Sequence, residues 1–137
     1  MTSSWIASTP IPLLEQWLSF TEARHQLLAG NIANVDTPGY QARDMPVSAF
    51  QEKVREALAT PMRSEYPSPG HRSAPSRLQR IRELSESYPS LLRHDGAEVS
   101  LEQQIAELTK NQIMHSLVVS LLNSQFRLLQ AAVTERV

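Results

Sequence analysis

The sequence predicts a mainly α-helical protein with long N- and C-terminal helices and a proline-rich irregular segment between them. Three observations support this prediction. Apolar residues recur at three- and four-residue steps near both ends of the chain, which is the spacing of one helix face. No proline or glycine interrupts residues 97–137. Four of the nine prolines fall within residues 61–75, where they oppose regular structure.

Composition excludes several functional classes. The chain has 137 residues, 41% of them hydrophobic and 6% aromatic, with a net charge of −1. Nucleic-acid binders carry a clear basic excess, so we expect no nucleic-acid partner. The absence of cysteine excludes disulfide scaffolds and cysteine-type metal sites. No apolar run is long enough to span a bilayer, and residues 1–5 lack the features of a cleaved secretory signal.

The N-terminal helix is expected over residues 11–34, with Thr9 as its cap and Pro10 in its first turn. It should end before Pro38, which disfavours helical geometry in the preceding residue. Its main row of seam positions contains Leu14, Leu18, Thr21, His25, Leu28, Ile32 and Val35. A second row widens this face on one side and contains Leu13, Trp17, Phe20 and Leu27.

The middle of the chain contains one short predicted helix and a long irregular segment. The helix follows Asp44-Met45-Pro46, and its apolar face contains Val47, Phe50, Val54, Ala57 and Leu58. Prolines then break residues 61–76 into a segment typical of a linker, a surface loop or a segment ordered only by a partner. A basic cluster follows, formed by Arg72, Arg77, Arg80 and Arg82. It could contact phosphate or an acidic partner, but a solvated loop is the simpler interpretation because the chain as a whole is neutral.

The C-terminal helix is expected over residues 100–134. Apolar positions alternate at four- and three-residue steps along it, in the row Leu101, Ile105, Leu108, Gln112, His115, Val119, Leu122, Phe126, Leu129 and Val133. At 1.5 Å per residue this helix would be about 50 Å long, far longer than the usual globular helix. A 3.5-residue repeat sustained over this length indicates coiled-coil packing.

The sequence contains no recognisable catalytic or metal-binding pattern. The four histidines, His25, His71, His94 and His115, lie far apart in the chain and form no ligand pair. His25 and His115 fall on the helical seams, where a hydrogen-bonded histidine is the simpler interpretation. We therefore expect neither an enzyme nor a bound cofactor or metal.

One motif stands out at the end of the N-terminal helix. It is Ala29-Gly30-Asn31-Ile32-Ala33-Asn34-Val35-Asp36-Thr37-Pro38-Gly39-Tyr40. Pro38 fixes φ for the second position of a tight turn, and Gly39 supplies the positive φ that a type II turn requires. The two asparagines lie about one turn apart, where they could bond the last helical carbonyls or a neighbouring chain.

This motif resembles the N-terminal signature of bacterial flagellar rod and hook proteins, which share an Ala-Asn-x-x-Asn-x-x-Thr-Pro-Gly-Tyr pattern. The matching residues here are Asn31, Asn34, Thr37, Pro38, Gly39 and Tyr40, together with the intervening Asp36. The sequence departs at Gly30, where serine or another small residue is common. Residues 40–44 and 95–102 resemble the proximal rod subtype in particular.

The resemblance implies how the protein is organised and where it works. Residues 1–40 would form an axial helix and turn, 41–97 a variable segment, and 98–137 a second axial helix. The terminal helices would pair as an extended coiled coil. The assembly seam would contain Leu14, Leu18, Leu28, Ile32, Leu101, Ile105, Leu108, Val119, Leu122, Phe126, Leu129 and Val133.

The resemblance also implies partners and a location. The partners would be copies of the same chain, other rod proteins, basal-body ring and export-gate components, and a rod-to-ring adaptor. The protein would be exported without a cleaved signal peptide into the rod that spans the periplasm beside the inner-membrane ring. We therefore predict a structural subunit of the proximal rod. The alternative is a soluble helical-hairpin adaptor or chaperone that binds a partner helix through the same apolar rows.

Overall fold

The computed structural model describes residues 9–59, 81, 91–92 and 100–134 of the chain. These ranges contain three helices, α1 (Ile11–Ala33), α2 (Val47–Ala59) and α3 (Leu101–Thr134), and two short strands, β1 (Arg43–Asp44) and β2 (Leu91–Leu92). The prediction of a mainly α-helical protein is therefore confirmed. The proline-rich segment 61–76 and the basic cluster at residues 72–82 lie outside the described residues, apart from Ile81.

The helix bounds agree with the predicted ones, but the cap of α1 differs. Pro10, rather than Thr9, occupies the N-cap position, and its carbonyl accepts the amides of Leu13 and Leu14 at 3.1 and 3.0 Å. The proline inside the first turn is Pro12, which needs no amide hydrogen there. The predicted cap was wrong because two closely spaced prolines each suit a helix start.

Helices α1 and α3 pack side by side in antiparallel directions. Residues early in α1 contact residues late in α3: Ile11 is buried with Val118 and Leu122 in one apolar cluster. Residues late in α1 contact the start of α3, where the Asn31 amide reaches the Gln104 side chain. The α3 side chains that contact α1 include Gln104, Glu107, Asn111, His115, Val118, Leu122 and Leu129.

The second apolar row of α1 packs against α2 instead of α3. Phe20 and Phe50 stack with ring centroids 4.3 Å apart, and Trp17 meets Phe50 edge-on at 4.6 Å. Met45 and Val54 complete this cluster. The predicted α2 face is buried at Phe50, Val54 and Ala57, whereas Leu58 is exposed. Helix α1 is therefore covered on two sides, which explains why its apolar stripe is so wide.

The chain leaves α1 through two consecutive turns. The Thr37 amide donates to the Asn34 carbonyl at 3.0 Å, and the Tyr40 amide donates to the Thr37 carbonyl at 3.1 Å. Gly39 has φ +77° and is the positive-φ residue in the described part of the chain. This is the backbone conformation that the predicted type II turn requires. Strand β1 follows and pairs antiparallel with β2, with Arg43 opposite Leu92.

We predict that alanine has opposite effects at the two described glycines. Gly39→Ala should lower the free energy of unfolding by about 1 kcal/mol, because a Cβ strains the left-handed backbone although the space around it is empty. Gly30→Ala is the matched control: it lies within α1 with open space around it, and should raise stability by about 0.5 kcal/mol. Urea denaturation measures both, and equal effects would contradict the turn geometry.

Candidate assembly interface

Asn31 is the centre of the motif in the folded chain. Its side-chain amide nitrogen donates to the Arg43 carbonyl at 2.7 Å and to Gln104 Oε1 at 3.0 Å. Its side-chain oxygen accepts the Tyr40 hydroxyl and the Arg43 amide, each at 3.1 Å. An asparagine side chain has two donor hydrogens and two acceptor sites, so Asn31 uses all four. It is 3% exposed and connects α1, the turn, β1 and α3.

The remaining motif residues divide between the helix end and the surface. Asn34 caps α1, since its side-chain nitrogen donates to the Gly30 carbonyl at 2.8 Å. Asp36, Thr37, Pro38 and Gly39 are exposed, and Tyr40 is 40% exposed even though its hydroxyl is bonded to Asn31. The two asparagines therefore support the fold, while the turn itself is presented to the outside.

A buried arginine lies seven residues, or about two turns, before Asn31. The side chain of Arg24 is 5% exposed and lies between two carboxylates: Asp44 at 3.2 Å and Glu107 at 2.9 Å. Lys110 also binds Glu107, at 2.8 Å. A buried guanidinium without carboxylate partners would be strongly destabilising, so this network fixes β1 and α3 at one register along α1.

The same network shifts the titration of Glu107. The hydrogen bond from the Lys110 ammonium, followed by the one from the Arg24 guanidinium, holds the pKa of Glu107 below its ordinary value. Partial burial of the carboxylate acts in the opposite direction but does not outweigh the two cations. Glu107 therefore favours folding most in its ionised form.

Thr21 forms the third polar contact between α1 and α3. Its hydroxyl donates to the Leu18 carbonyl at 2.8 Å and lies 3.0 Å from His115 Nδ1. The hydroxyl accepts from Nδ1 when its one proton is directed at Leu18, so the direction of this bond follows the histidine tautomer. Asn111 donates to the Thr21 carbonyl at 2.8 Å. His115 thus has the structural role that the sequence suggested.

The predicted seam residues of α1 lie toward α3 or in the interior. Leu14 and Leu18 pack against the cluster of Ile11, Val118 and Leu122. Leu28 is fully buried and Ile32 is half-buried.

On α3 the predicted row divides between two surfaces. Leu122 is buried against α1, and Leu108 and Leu129 are half-buried. The others are exposed on one flank of the contact with α1: Leu101, Ile105, Val119, Phe126 and Val133. The opposite flank of α3 is also apolar, because Leu117, Leu121 and Leu128 are exposed there, with exposed fractions of 44–60%. We call these two surfaces the apolar flanks of α3.

Apolar periodicity did not indicate the polar side chains of α3 that face α1. Gln104, Asn111 and Val118 are spaced by seven residues and lie one position before the predicted row Ile105, Gln112 and Val119. The face of α3 that contains Gln104 and Asn111 is rich in amides. Apolar periodicity therefore does not indicate that this face is the buried one. The burial of Arg24 could be predicted from its spacing. It lies three residues after Thr21 and four before Leu28, on the buried side of α1.

The described residues contain neither a metal-type cluster nor a membrane-spanning helix. In those ranges, no three histidine, aspartate or glutamate side chains come together as a possible metal site. Among the described helices, none has the length and apolar character needed to cross a membrane.

Comparison with known proteins decides the family. A flagellar basal body rod protein FlgB from Proteus mirabilis strain HI4320 is 30% identical over 131 residues, covering 88% of this chain and 90% of the relative. The chain belongs to the FlgB family of flagellar basal-body rod proteins. No protein-family model matches the chain.

Other FlgB proteins show the same relationship over most of their length. The Escherichia coli K12 protein is 28% identical over 120 residues, covering 82% of this chain and 84% of the relative. The Bacillus subtilis 168 protein is 25% identical over 127 residues, covering 93% and 95%. The family that the motif predicted is therefore confirmed, as is the predicted role as a structural subunit of the flagellar rod.

We predict that Asn31→Ala destabilises this FlgB-family chain by about 2 kcal/mol, because it leaves Gln104 and the Arg43 main chain without their buried partner. Thr37→Ala is the control, since its contact with Asn34 is long at 3.5 Å and exposed. Urea denaturation measures stability. Amide hydrogen exchange at Arg43 should accelerate in Asn31→Ala alone, and unchanged protection there would contradict the role of Asn31.

We also predict that Glu107 makes stability depend on pH. The pKa of Glu107 is lower in the folded than in the unfolded chain. Glu107 therefore makes its full contribution to the free energy of unfolding above the unfolded pKa of about 4.3. The contribution is lost as the pH falls through the lower, folded value. The stability difference between wild type and Glu107→Gln should therefore be larger at pH 7 than at pH 3. Glu52→Gln, which removes a carboxylate from an exposed ion pair, is the control. A difference that does not change with pH for Glu107→Gln would contradict this assignment.

Proposed function

We propose that this chain is a structural subunit of the proximal rod of the flagellar basal body. It polymerises through its terminal helices into a tube that transmits torque and conducts exported subunits. Its partners are copies of itself, other rod proteins, ring and export-gate components, and a rod-to-ring adaptor. It has no catalytic role. The relatives support the rod itself, being named as basal body rod proteins.

Helix α3 leaves a large amount of apolar surface exposed in a single copy of the chain, and this surface is the main support for the proposal. Both apolar flanks face outward, and Ile113, between them, is 66% exposed. A helix with exposed apolar side chains on both flanks of its one packed face has apolar surface left for further partners. Covering these side chains contributes about 25 cal/mol per Å² of apolar area, which favours association over the isolated chain.

The proposal extends to the organisation of the chain. Residues 1–40 and 98–137 form the axial wall, and residues 41–97 make the variable contacts. The α3 residues that face α1 follow steps of three, four and seven residues, which supports coiled-coil pairing of the terminal helices. The assembly seam then has two parts: an inner part with Leu14, Leu122 and Leu129, and an outer part on the apolar flanks.

Gene deletion followed by electron microscopy of purified basal bodies tests the proposal. The deletion strain should have rings without rods, and the wild-type gene should restore the rods. Intact rods in the deletion strain, with the chain found in the cytosol, would favour the adaptor instead.

Substitutions on α3 test the surface. Leu117→Asp should keep the fold, because Leu117 is 57% exposed in a single copy, yet should prevent rod assembly by placing a charge in a buried contact. Ser120→Asp, also exposed on α3, is the matched control and should assemble more readily. Circular dichroism of both purified variants verifies their helix content. Normal rods in the Leu117→Asp strain would contradict the role of this flank.

A further inference from the structure

Arg43, three residues after the motif, is a cation whose main chain is held in place by the fold. The backbone of Arg43 is fixed on both sides, since its amide and carbonyl both bind Asn31 and it pairs with Leu92 in the strand ladder. Its side chain is exposed, and within the described residues its guanidinium forms no hydrogen bond or ion pair. Tyr40, three residues earlier, is also exposed and anchored by Asn31. Tyrosine and arginine are among the residue types enriched at binding hot spots.

A notch of about 370 Å³ lies on the other side of the hairpin, between α1 and α3. It is lined by the polar residues Thr21, Glu22, His25, Gln26, Asn111, Gln112 and His115. Glu22 is its single carboxylate, is exposed, and makes no ion pair with any described residue. Asn111 adds a buried Oδ1 acceptor without a hydrogen-bond partner in the described structure. A notch with an unpaired carboxylate and an unused acceptor suits a cationic side chain that donates hydrogen bonds.

Arg43 and the notch cannot satisfy each other within one copy. Asn31, which holds Arg43, follows Glu22 by nine residues, or about two and a half turns at 3.6 residues per turn. The two sites therefore lie on opposite sides of α1. Two complementary sites on opposite sides of one chain can meet only between copies, in a head-to-tail contact that repeats.

We propose that Arg43 of one copy binds the Glu22 notch of the next copy. This inference rests on the proposed function, because it assigns a specific contact to the polymer. Charge complementarity supports a second copy as the occupant. Residues 1–40, which include Glu22, have one basic and three acidic residues, whereas residues 41–97, which include Arg43, have nine basic and seven acidic residues. A head-to-tail contact of this kind generates an open helical assembly when its rotation does not close a ring.

Charge reversal in the deletion strain tests the contact, with rods per basal body counted by electron microscopy. Arg43→Glu should reduce rods at least fivefold, and Glu22→Arg should do the same, because each places like charges together. The double variant Arg43→Glu/Glu22→Arg should recover at least half of the wild-type count. Arg55→Glu is the matched control: it makes the same charge change at another exposed arginine, on α2, and should stay within twofold of wild type.

Each other result overturns the inference. A wild-type rod count in Arg43→Glu, an equal loss in Arg55→Glu, or no recovery in the double variant would each exclude the contact. Circular dichroism of the purified variants verifies that the helices persist, as expected because Arg43 contributes its main chain rather than its side chain to the fold. Rods in the deletion strain itself would overturn the proposed function, whereas rods restored equally by wild type and Arg43→Glu would overturn this contact alone.

Discussion

The described fold depends on a single buried side-chain amide, that of Asn31. With all four of its hydrogen-bonding positions occupied, it fixes the end of α1 relative to the turn, strand β1 and the first turn of α3. A buried amide is stabilising only when every position is satisfied, because each missing partner costs desolvation energy that is not returned. The geometry of the turn, the placement of Arg43 and the register of α3 are therefore coupled. This coupling gives a physical reason for a motif that has asparagine at this point and a tight turn soon after it.

The contact between α1 and α3 changes character along its length. Near the turn it is polar, with Asn31 against Gln104 and Arg24 against Glu107. Toward the start of α1 it is apolar, with Ile11 against Val118 and Leu122. Apolar contacts tolerate sliding by one heptad, whereas paired amides and ions do not. The polar half thus specifies the register, and the apolar half contributes most of the burial.

A single copy of the chain is an incomplete packing unit. Helix α1 is covered by α3 on one side and by the Phe20–Phe50 cluster on another, but α3 is covered on one side alone among the described elements. A subunit of a polymer needs this arrangement: enough internal order to present its surfaces, and enough exposed apolar area to favour the assembled state. The polar notch beside α3 adds specificity to a surface that would otherwise bind apolar helices without discrimination.

The sequence by itself determined the helices, the turn and the family. Apolar periodicity and prolines are local signals, so the bounds of α1 and α3, the buried face of α2 and the positive φ of Gly39 could all be predicted. The twelve-residue motif indicated the rod and hook proteins, and residues 40–44 and 95–102 indicated the proximal rod subtype. Tertiary structure decided which face of α3 meets α1, because a helix that is apolar on several sides gives no unique seam. The Gln104–Asn111 face was chosen by Asn31 and Thr21, because the Asn31 side-chain amide and the Thr21 main-chain carbonyl pair with those two side chains. Whether a buried polar group has a partner depends on residues that are distant in sequence, and periodicity contains no information about them.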